Sequence, residues 1–510
     1  MLFNSTDFLV FFGVFLLAWY VVRRSLAACN WLIVIASLIF YSWWNYRFTS
    51  LLLLSAVVDY YVALGMGVPQ SSSLSSSLSS SMGSVTRLPG HESKGKDGAR
   101  PEPRPTNTNG VEVEVESEKR RRLLLLWISL VTNLGVLFFF KYFDFFREST
   151  RLLLSQFGIE AGWTALSFIL PVGISFYTFQ TLSYTIDVYR GQIAPTRSLV
   201  QFLGYVAFFP QLVAGPIERA AHLLPQMARP LTITLPMVES GLWLCVWGLF
   251  KKVVLADSLA HLVDPIFKFV EPEASQTLLA TAAFALQIYC DFSGYTDIAR
   301  GLARMLGFEL MLNFNLPYFA TSVQDFWRRW HISLSTWLRD YLYLPLGGNR
   351  LGVGRTYLNL LIVMLLGGIW HGAAWNFVAW GLWQALGLIV NRAWRERGFG
   401  CPRWLGWTLT MAFTLYGWLL FRSNSADQVL TLTASLAHWA PPVWTGVMLR
   451  ELLVLAAPLL AMQCWQWRAG DLEVAMRLPR WSRGLLQAGL IYATILFWQR
   501  EAPQFIYFQF

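Results

Sequence analysis

The sequence predicts an all-α fold, a polytopic bundle of membrane helices, and three observations carry that prediction. Hydrophobic residues make up 55% of the 510 residues and charged residues only 14%, against roughly 25% charged in soluble domains. The mean hydropathy is +0.44. The apolar residues come in runs flanked by short basic clusters, Arg23-Arg24, Lys119 to Arg122 and Lys251-Lys252, as at the cytoplasmic ends of membrane helices. Aromatic residues are also abundant, with 25 Trp and 37 Phe, as expected at bilayer interfaces and between packed helices. The net charge of +10 is divided among those clusters, so no nucleic-acid-binding face is indicated. Five scattered cysteines (Cys29, Cys245, Cys290, Cys401, Cys464) show no CxxC or Cys/His spacing, which indicates neither a disulfide framework nor a metal site.

The first run, Phe8 to Val22, has no basic stretch before it and Arg23-Arg24 after it. It therefore reads as a retained span with its N-terminus outside, not as a cleaved signal. Asn30 to Trp44 and Phe48 to Val68 complete an N-terminal group of membrane helices over residues 1–68. Residues 69–118 carry SSSLSSSLSSS and a Gly/Pro/charge mixture, with little to bury, and read as a disordered cytoplasmic linker. Within it, the alternation VEVEVESE at Val111 to Glu118 leaves a strand open as an alternative. Residues 119–510 form the core: Leu123 to Phe140, Leu166 to Tyr184, Leu199 to Val213, Val238 to Val254, Leu278 to Cys290, Leu405 to Phe421, Leu452 to Trp465 and Leu485 to Trp498 are further apolar runs. Counted by the length a span needs, they amount to roughly 10–12 crossings plus re-entrant or interfacial helices.

The region 324–376 stands apart because polar groups there must be buried at a cost, and membrane proteins keep such groups for function. Read as one helix, Trp327, Trp330, His331, Leu334, Trp337, Leu338 and Tyr341 share a face, while Arg328, Arg329, Arg339 and Asp340 point elsewhere. That segment lies at the interface or dips into the bundle. His331 on its tryptophan face is either a packed histidine or a reacting group, and the segment leaves both open. His371 has the stronger physical case. From Thr356 to Asn391 there is no fixed charge, and one helix of that length would be on the order of 54 Å long against a ~30 Å hydrocarbon core. The run must break, and GGIWHGAAWN supplies the glycines for it. Backbone exposed at a break is tolerated only where protein or a cavity covers it. An imidazole buried there stays neutral, the form a general base needs.

In QIYCDFSGYTDIARG, Asp291 and Asp297 do not share a helical face, which argues against a paired acid–base device. Helix capping, buried hydrogen bonding and orientation of a histidine stay open for them. A Ser-His-Asp arrangement through Ser293 has no support in the spacing. The Pro- and Gly-bearing segments PVGISFYTFQTLSYTIDVYRG and FFPQLVAGPIER fit kinked helices lining a path, or ordinary helix ends.

These stretches, together with FWRRWHISLSTWLRDYLYLPLGGNR, LLGGIWHGAAWNFVAWG and FIYFQF, resemble the membrane-bound O-acyltransferase family in its order. The resemblance is strongest to the bacterial branch that contains the integral-membrane subunit of alginate O-acetyltransferase. It spans nearly the whole chain apart from the 69–118 insertion. It implies an acyltransferase with His371 as the catalytic histidine of the WHG motif and His331 as a second functional histidine. By the same resemblance, Asp291, Asp297, Arg328, Trp330, Trp370 and Asn376 are candidates for contacting substrate, with His331, Asn376 or Trp370 stabilising the oxyanion. Lys251, Lys252, Arg328, Arg329 and Arg350 either bind donor phosphates or set topology and form ion pairs. The resemblance further implies acetyl-CoA as donor with no bound cofactor or metal. Its other implied partners are a periplasmic or extracellular acetyltransferase and an exported polysaccharide as acceptor, with the chain spanning a bacterial inner membrane. A transporter or flippase, or a non-catalytic scaffold of a secretion complex, are the competing classes. Transporters pair broken helices in two related halves, and no such halves are visible here.

Overall fold

The computed structural model describes residues 1–67, 108–160, 162–163, 169–212, 215–268, 272–439, 444–499 and 505–506. Among these the regular structure is helical throughout. The chain opens with α1 (Thr6–Val22) and α2 (Leu26–Met66), each started by a serine whose hydroxyl accepts from the first turn, Ser5 from Phe8 N and Ser25 from Ala28 N. The two runs read as Asn30 to Trp44 and Phe48 to Val68 form one long element that kinks at Asn45, where φ is −161° and ψ 109°. The expected linker lies outside the described residues as far as 107. From Thr108 the chain is already helical, in α3 (Thr108–Leu137), so the Val111–Glu118 alternation is not a strand. An extension of a membrane helix needs no strand partner, which an isolated strand would lack.

α4 (Phe143–Gln156), α5 (Ile174–Tyr189), α6 (Leu199–Ala207) and α7 (Ala220–Met227) follow. Next come α8 (Leu235–Leu249), α9 (Asp257–Val263) and α10 (Ala274–Met305), the last begun by a reciprocal Glu273/Gln276 cap. Then α11 (Val323–Arg329), α12 (Ile332–Leu338), α13 (Val353–His371) and α14 (Trp375–Glu396) build the polar region. α15 (Arg403–Arg422), α16 (Ala426–Ser435), α17 (Thr445–Ala469) and α18 (Arg480–Leu496) complete the described α-helices longer than one turn.

By length and composition, four described helices can cross a membrane unaided: Leu26–Met66, Glu116–Gln156, Val353–His371 and Thr445–Ala469. α5 is only 16 residues long, yet nearly all of it is buried, including Thr178, Gln180, Thr181 and Ser183. A helix covered on every side sits at the centre of the bundle. The outer helices instead expose Leu9, Val14, Leu17, Leu453, Val454, Ile495 and Leu496, the surface that hydrocarbon covers.

α8 and α10 cross at two glycine pairs. A Cβ on Gly248 would lie 2.6 Å from Gly294 O, and one on Gly241 would lie 2.7 Å from Gly301 O. Both pairs are spaced by seven residues, so small residues recur on one seam and let the two backbones touch. Among the described residues three π-helical turns interrupt the helices, at Phe138–Tyr142, Phe250–Ala256 and Arg339–Tyr343. Each carries basic residues (Lys141; Lys251 and Lys252; Arg339) at a widening of the type that clusters at functional sites.

Candidate active site

The charge-free run breaks where the length argument requires. α13 ends at His371, Gly372 is extended (φ −162°, ψ 151°), and α14 starts at Trp375. The break is tightly packed: a Cβ on Gly372 would lie 2.1 Å from the Phe377 ring, and one on Gly368 would lie 2.3 Å from Phe377 O. His371 is 5% exposed. Its ring lies 5.0 Å from Trp370, 5.1 Å from Trp380 and 5.3 Å from Phe421, edge-on to all three. It contributes to the wall of a cavity of about 410 Å³ shared with Trp43, Trp44, Lys141, Ser175 and Trp370.

His331 does not lie on one continuous amphipathic helix. The segment breaks into α11 and α12 around it, and His331 adopts φ 44°, ψ 56°. A non-glycine residue in this left-handed region costs energy that the surroundings must supply, a cost often met at functional sites. Asn313 is one such surrounding. Its Oδ1 accepts from Ser333 N (3.2 Å) and Ser333 Oγ (3.0 Å), and lies 3.0 Å from His331 Nδ1. An oxygen that accepts twice from Ser333 assigns the proton to Nδ1, so in the neutral ring Nε2 carries the lone pair. That Nε2 is buried with no partner among the described residues. Phe292 meets the His331 ring edge-on at 4.7 Å, and Trp370 lies 6.3 Å away. Trp370 thus touches both histidines.

A second cavity, about 680 Å³, is lined by Arg328, Arg339, Arg392, Arg395, Val363 and Met364 among others. Met364 and His371 are seven residues apart on α13, about 10 Å of helix. The two cavities therefore meet this helix less than two turns of separation beyond one another. They lie towards opposite ends of α14, the first beside its start and the second against Leu388 to Glu396. The second cavity belongs to the basic face. Arg122 donates to Val188 O and Tyr189 O, and the next residue, Arg190, reaches Asp340 O beside Arg339.

The other expected site residues divide. Arg328 lines the second cavity and Trp370 the first. Trp330 is buried against Trp418 (4.8 Å) and Phe314 (5.0 Å), as support for the neighbouring histidine. Asn376 donates to Phe421 O and Ser423 O, tying the start of α14 to the end of α15. Asp291 and Asp297 line neither large cavity. They pair at 2.8 Å with Lys252 and at 2.7 Å with Lys251. Of the alternatives open for Lys251 and Lys252, this favours ion pairing over a loop end or phosphate binding, since both are 2% exposed inside the bundle. Ser293 Oγ accepts from Lys251 and joins no triad. Arg329 pairs with Asp325, and Arg350 is exposed on a turn.

Sequence reasoning missed Lys141, Asn313, Arg339, Arg392 and Arg395. Asn313 is 18 residues from its partner, and no local pattern links them. The signal for Lys141 was a charge inside the aromatic run FFFKYFDFF, which it shares with Asp144.

Residues 193–425 match the model of the MBOAT, membrane-bound O-acyltransferase family. The chain is 37% identical to the probable alginate O-acetylase of Azotobacter vinelandii, over 87% of this chain and 79% of the relative. It is likewise 37% identical to the probable alginate O-acetylase of Pseudomonas aeruginosa, over 83% and 72%. A peptidoglycan O-acetyltransferase of Helicobacter pylori is 35% identical over 84% of this chain and 78% of its own.

Proposed function

The chain belongs to the membrane-bound O-acyltransferase family, and from that premise we propose that it passes acetyl groups across a bacterial inner membrane for O-acetylation of an exported polysaccharide. It is an acyltransferase and a membrane protein; family membership sets aside the transporter and scaffold readings. The relatives named as alginate and peptidoglycan O-acetyltransferases support an acetyl donor and a carbohydrate acceptor.

In this reading the arginine-lined cavity faces the cytoplasm, in keeping with the positive-inside rule for Arg23-Arg24 and Lys119 to Arg122. Its guanidinium groups suit the phosphates of acetyl-CoA. The first cavity opens outward and admits the acceptor hydroxyl, carried by the polymer or by a separate acetyltransferase. The observation that carries the proposal is the placement of His371 in that outer cavity, about 10 Å along one helix from the inner one.

His371 takes the proton of the acceptor hydroxyl as its oxygen attacks the thioester carbonyl. A tetrahedral oxyanion forms, the C–S bond breaks, and the imidazolium returns the proton to the leaving thiolate. An ester and a thiol result. Of the three oxyanion candidates, Trp370 is favoured. His331 presents a lone pair, Asn376 donates to two carbonyls, and Trp370 Nε1–H is a buried donor with no partner among the described residues. In this reading His331, which is fully buried and lines neither cavity, supports the Trp370 indole 6.3 Å away rather than touching the incoming hydroxyl.

A positioned base contributes typically about 10²- to 10⁴-fold in rate. Acetyl esters on the exported polymer should therefore fall by that factor in His371→Ala at equal protein level. Normal acetylation by that variant would refute the mechanism.

A further inference from the structure

The last four carbonyls of a helix have no partner within it, and a membrane interior offers little water to satisfy them. α13 ends at His371, so these carbonyls belong to Gly368, Ile369, Trp370 and His371. Gly372 N–H reaches Gly368 O at 3.4 Å. The next contacts come from elsewhere in the chain: Lys141 Nζ donates to Trp370 O at 2.6 Å and to His371 O at 3.2 Å. Its third contact, 3.4 Å, is to Ser175 Oγ in the first turn of α5. Among the described residues no carboxylate lies within ion-pairing distance of Lys141. The lysine sits in the π-helical turn Phe138–Tyr142, between α3 and α4, and lines the same cavity as His371.

The geometry points to Lys141 as a positioning residue for acyl transfer: its ammonium clamps the backbone of Trp370 and His371, and so fixes the indole and imidazole at the cavity wall. A positive charge at a helix C-terminus is electrostatically favoured there. This clamp also joins three elements that have no sequence proximity, namely the π turn, the start of α5 and the broken end of α13. The inference rests on the reading of His371 as the base, because Lys141 acts through that residue: its three hydrogen bonds and its contact with the Trp370 ring (5.7 Å) all lie within the protein.

Arg122 supplies a contrast within the same molecule. Its guanidinium donates to Met66 O, Gly67 O, Val188 O and Tyr189 O, the ends of α2 and α5. Those ends carry no candidate reacting group, so Arg122 is a helix-end clamp of purely structural effect.

The test uses the full chain in the strain that naturally carries it, with wild type, His371→Ala, Lys141→Ala, Lys141→Arg and Arg122→Ala compared at equal protein level. Acetyl esters on the polymer are the readout, with and without ethylammonium in the medium; thermal unfolding midpoints are measured on detergent-purified protein. Lys141→Ala is expected to lose about 10- to 100-fold in activity, the usual effect of removing a group that orients a reacting side chain. Ethylammonium, which fits the vacated space beside the open cavity, or the cation of Lys141→Arg should restore a substantial part. Arg122→Ala should lower the midpoint and show no response to the amine. If His371→Ala is inactive and Lys141→Ala acetylates like wild type, the inference fails and the proposed function stands. A loss that neither the amine nor Lys141→Arg reverses also overturns it, leaving Lys141 a structural cap like Arg122. Full activity in His371→Ala overturns both.

Discussion

Gly368→Ala tests whether the catalytic helix is held by backbone contact. Gly368 lies one turn before His371, where α13 meets α14. An alanine Cβ there would sit 2.3 Å from Phe377 O, 3.0 Å from Gly381 Cα and 3.1 Å from Gly381 N. Gly381 returns the contact, because its own Cβ would lie 2.6 Å from Met364 O. All the obstructing atoms are backbone, so no side chain can swing aside, and the helices must separate by about 1 Å to reach ordinary contact. Overpacking of this kind costs roughly 1–3 kcal/mol. Alanine returns about 0.5–1 kcal/mol in helix propensity, which leaves a net loss of about 0–2.5 kcal/mol. The functional loss should be larger than the stability loss, since a 1 Å displacement of a reacting group can cost about 10²-fold in rate. Gly354→Ala is the control: it lies on the same helix with nothing within 4 Å of its Cβ, and should be neutral or slightly stabilising. The assay pairs thermal unfolding of purified protein with acetyl esters on the polymer. A Gly368→Ala protein that melts at or above wild type and retains full activity would show that the contact does not position His371.

Two further outcomes follow from the site. Asn313→Ala removes the oxygen that holds His331 Nδ1 and both Ser333 donors; activity should fall about 10- to 100-fold, with Asn313→Asp retaining more because it keeps the acceptor. Undiminished activity in Asn313→Ala would remove His331 from the mechanism. Arg395→Ala, alone and with Arg392→Ala, should raise the donor KM severalfold at little cost in kcat, measured with acetyl-CoA and purified protein, because groups that bind ground and transition states alike act on KM. An unchanged KM would mean that the donor enters elsewhere.

The helix break at His371 could be read from the chain because it follows from a length: a charge-free run longer than a bilayer must stop inside it. Membrane class and helical fold are legible for the same reason, since they depend on counts and run lengths. The break at His331 was not legible. Its tryptophan face has flawless helical spacing, and the left-handed turn that divides α11 from α12 is held by Asn313, on a separate segment. The destination of the buried lysines stayed open for a related reason. Lys251 and Lys252 look like a loop end because two adjacent lysines normally face water, yet a π turn aims one at Asp297 and the other at Asp257 and Asp291. Removing one partner of such a buried pair strands the other at a cost of about 3–5 kcal/mol, so the aspartates that resembled substrate contacts are accounted for by the lysines. The same widening of a helix turns Lys141 towards carbonyls, where no acidic residue marks its destination in the sequence. A basic residue in an apolar run therefore has three destinations, a membrane-facing loop, a buried carboxylate or the open end of another helix. Separating them takes the partner's position in space, which residue spacing along one helix does not encode.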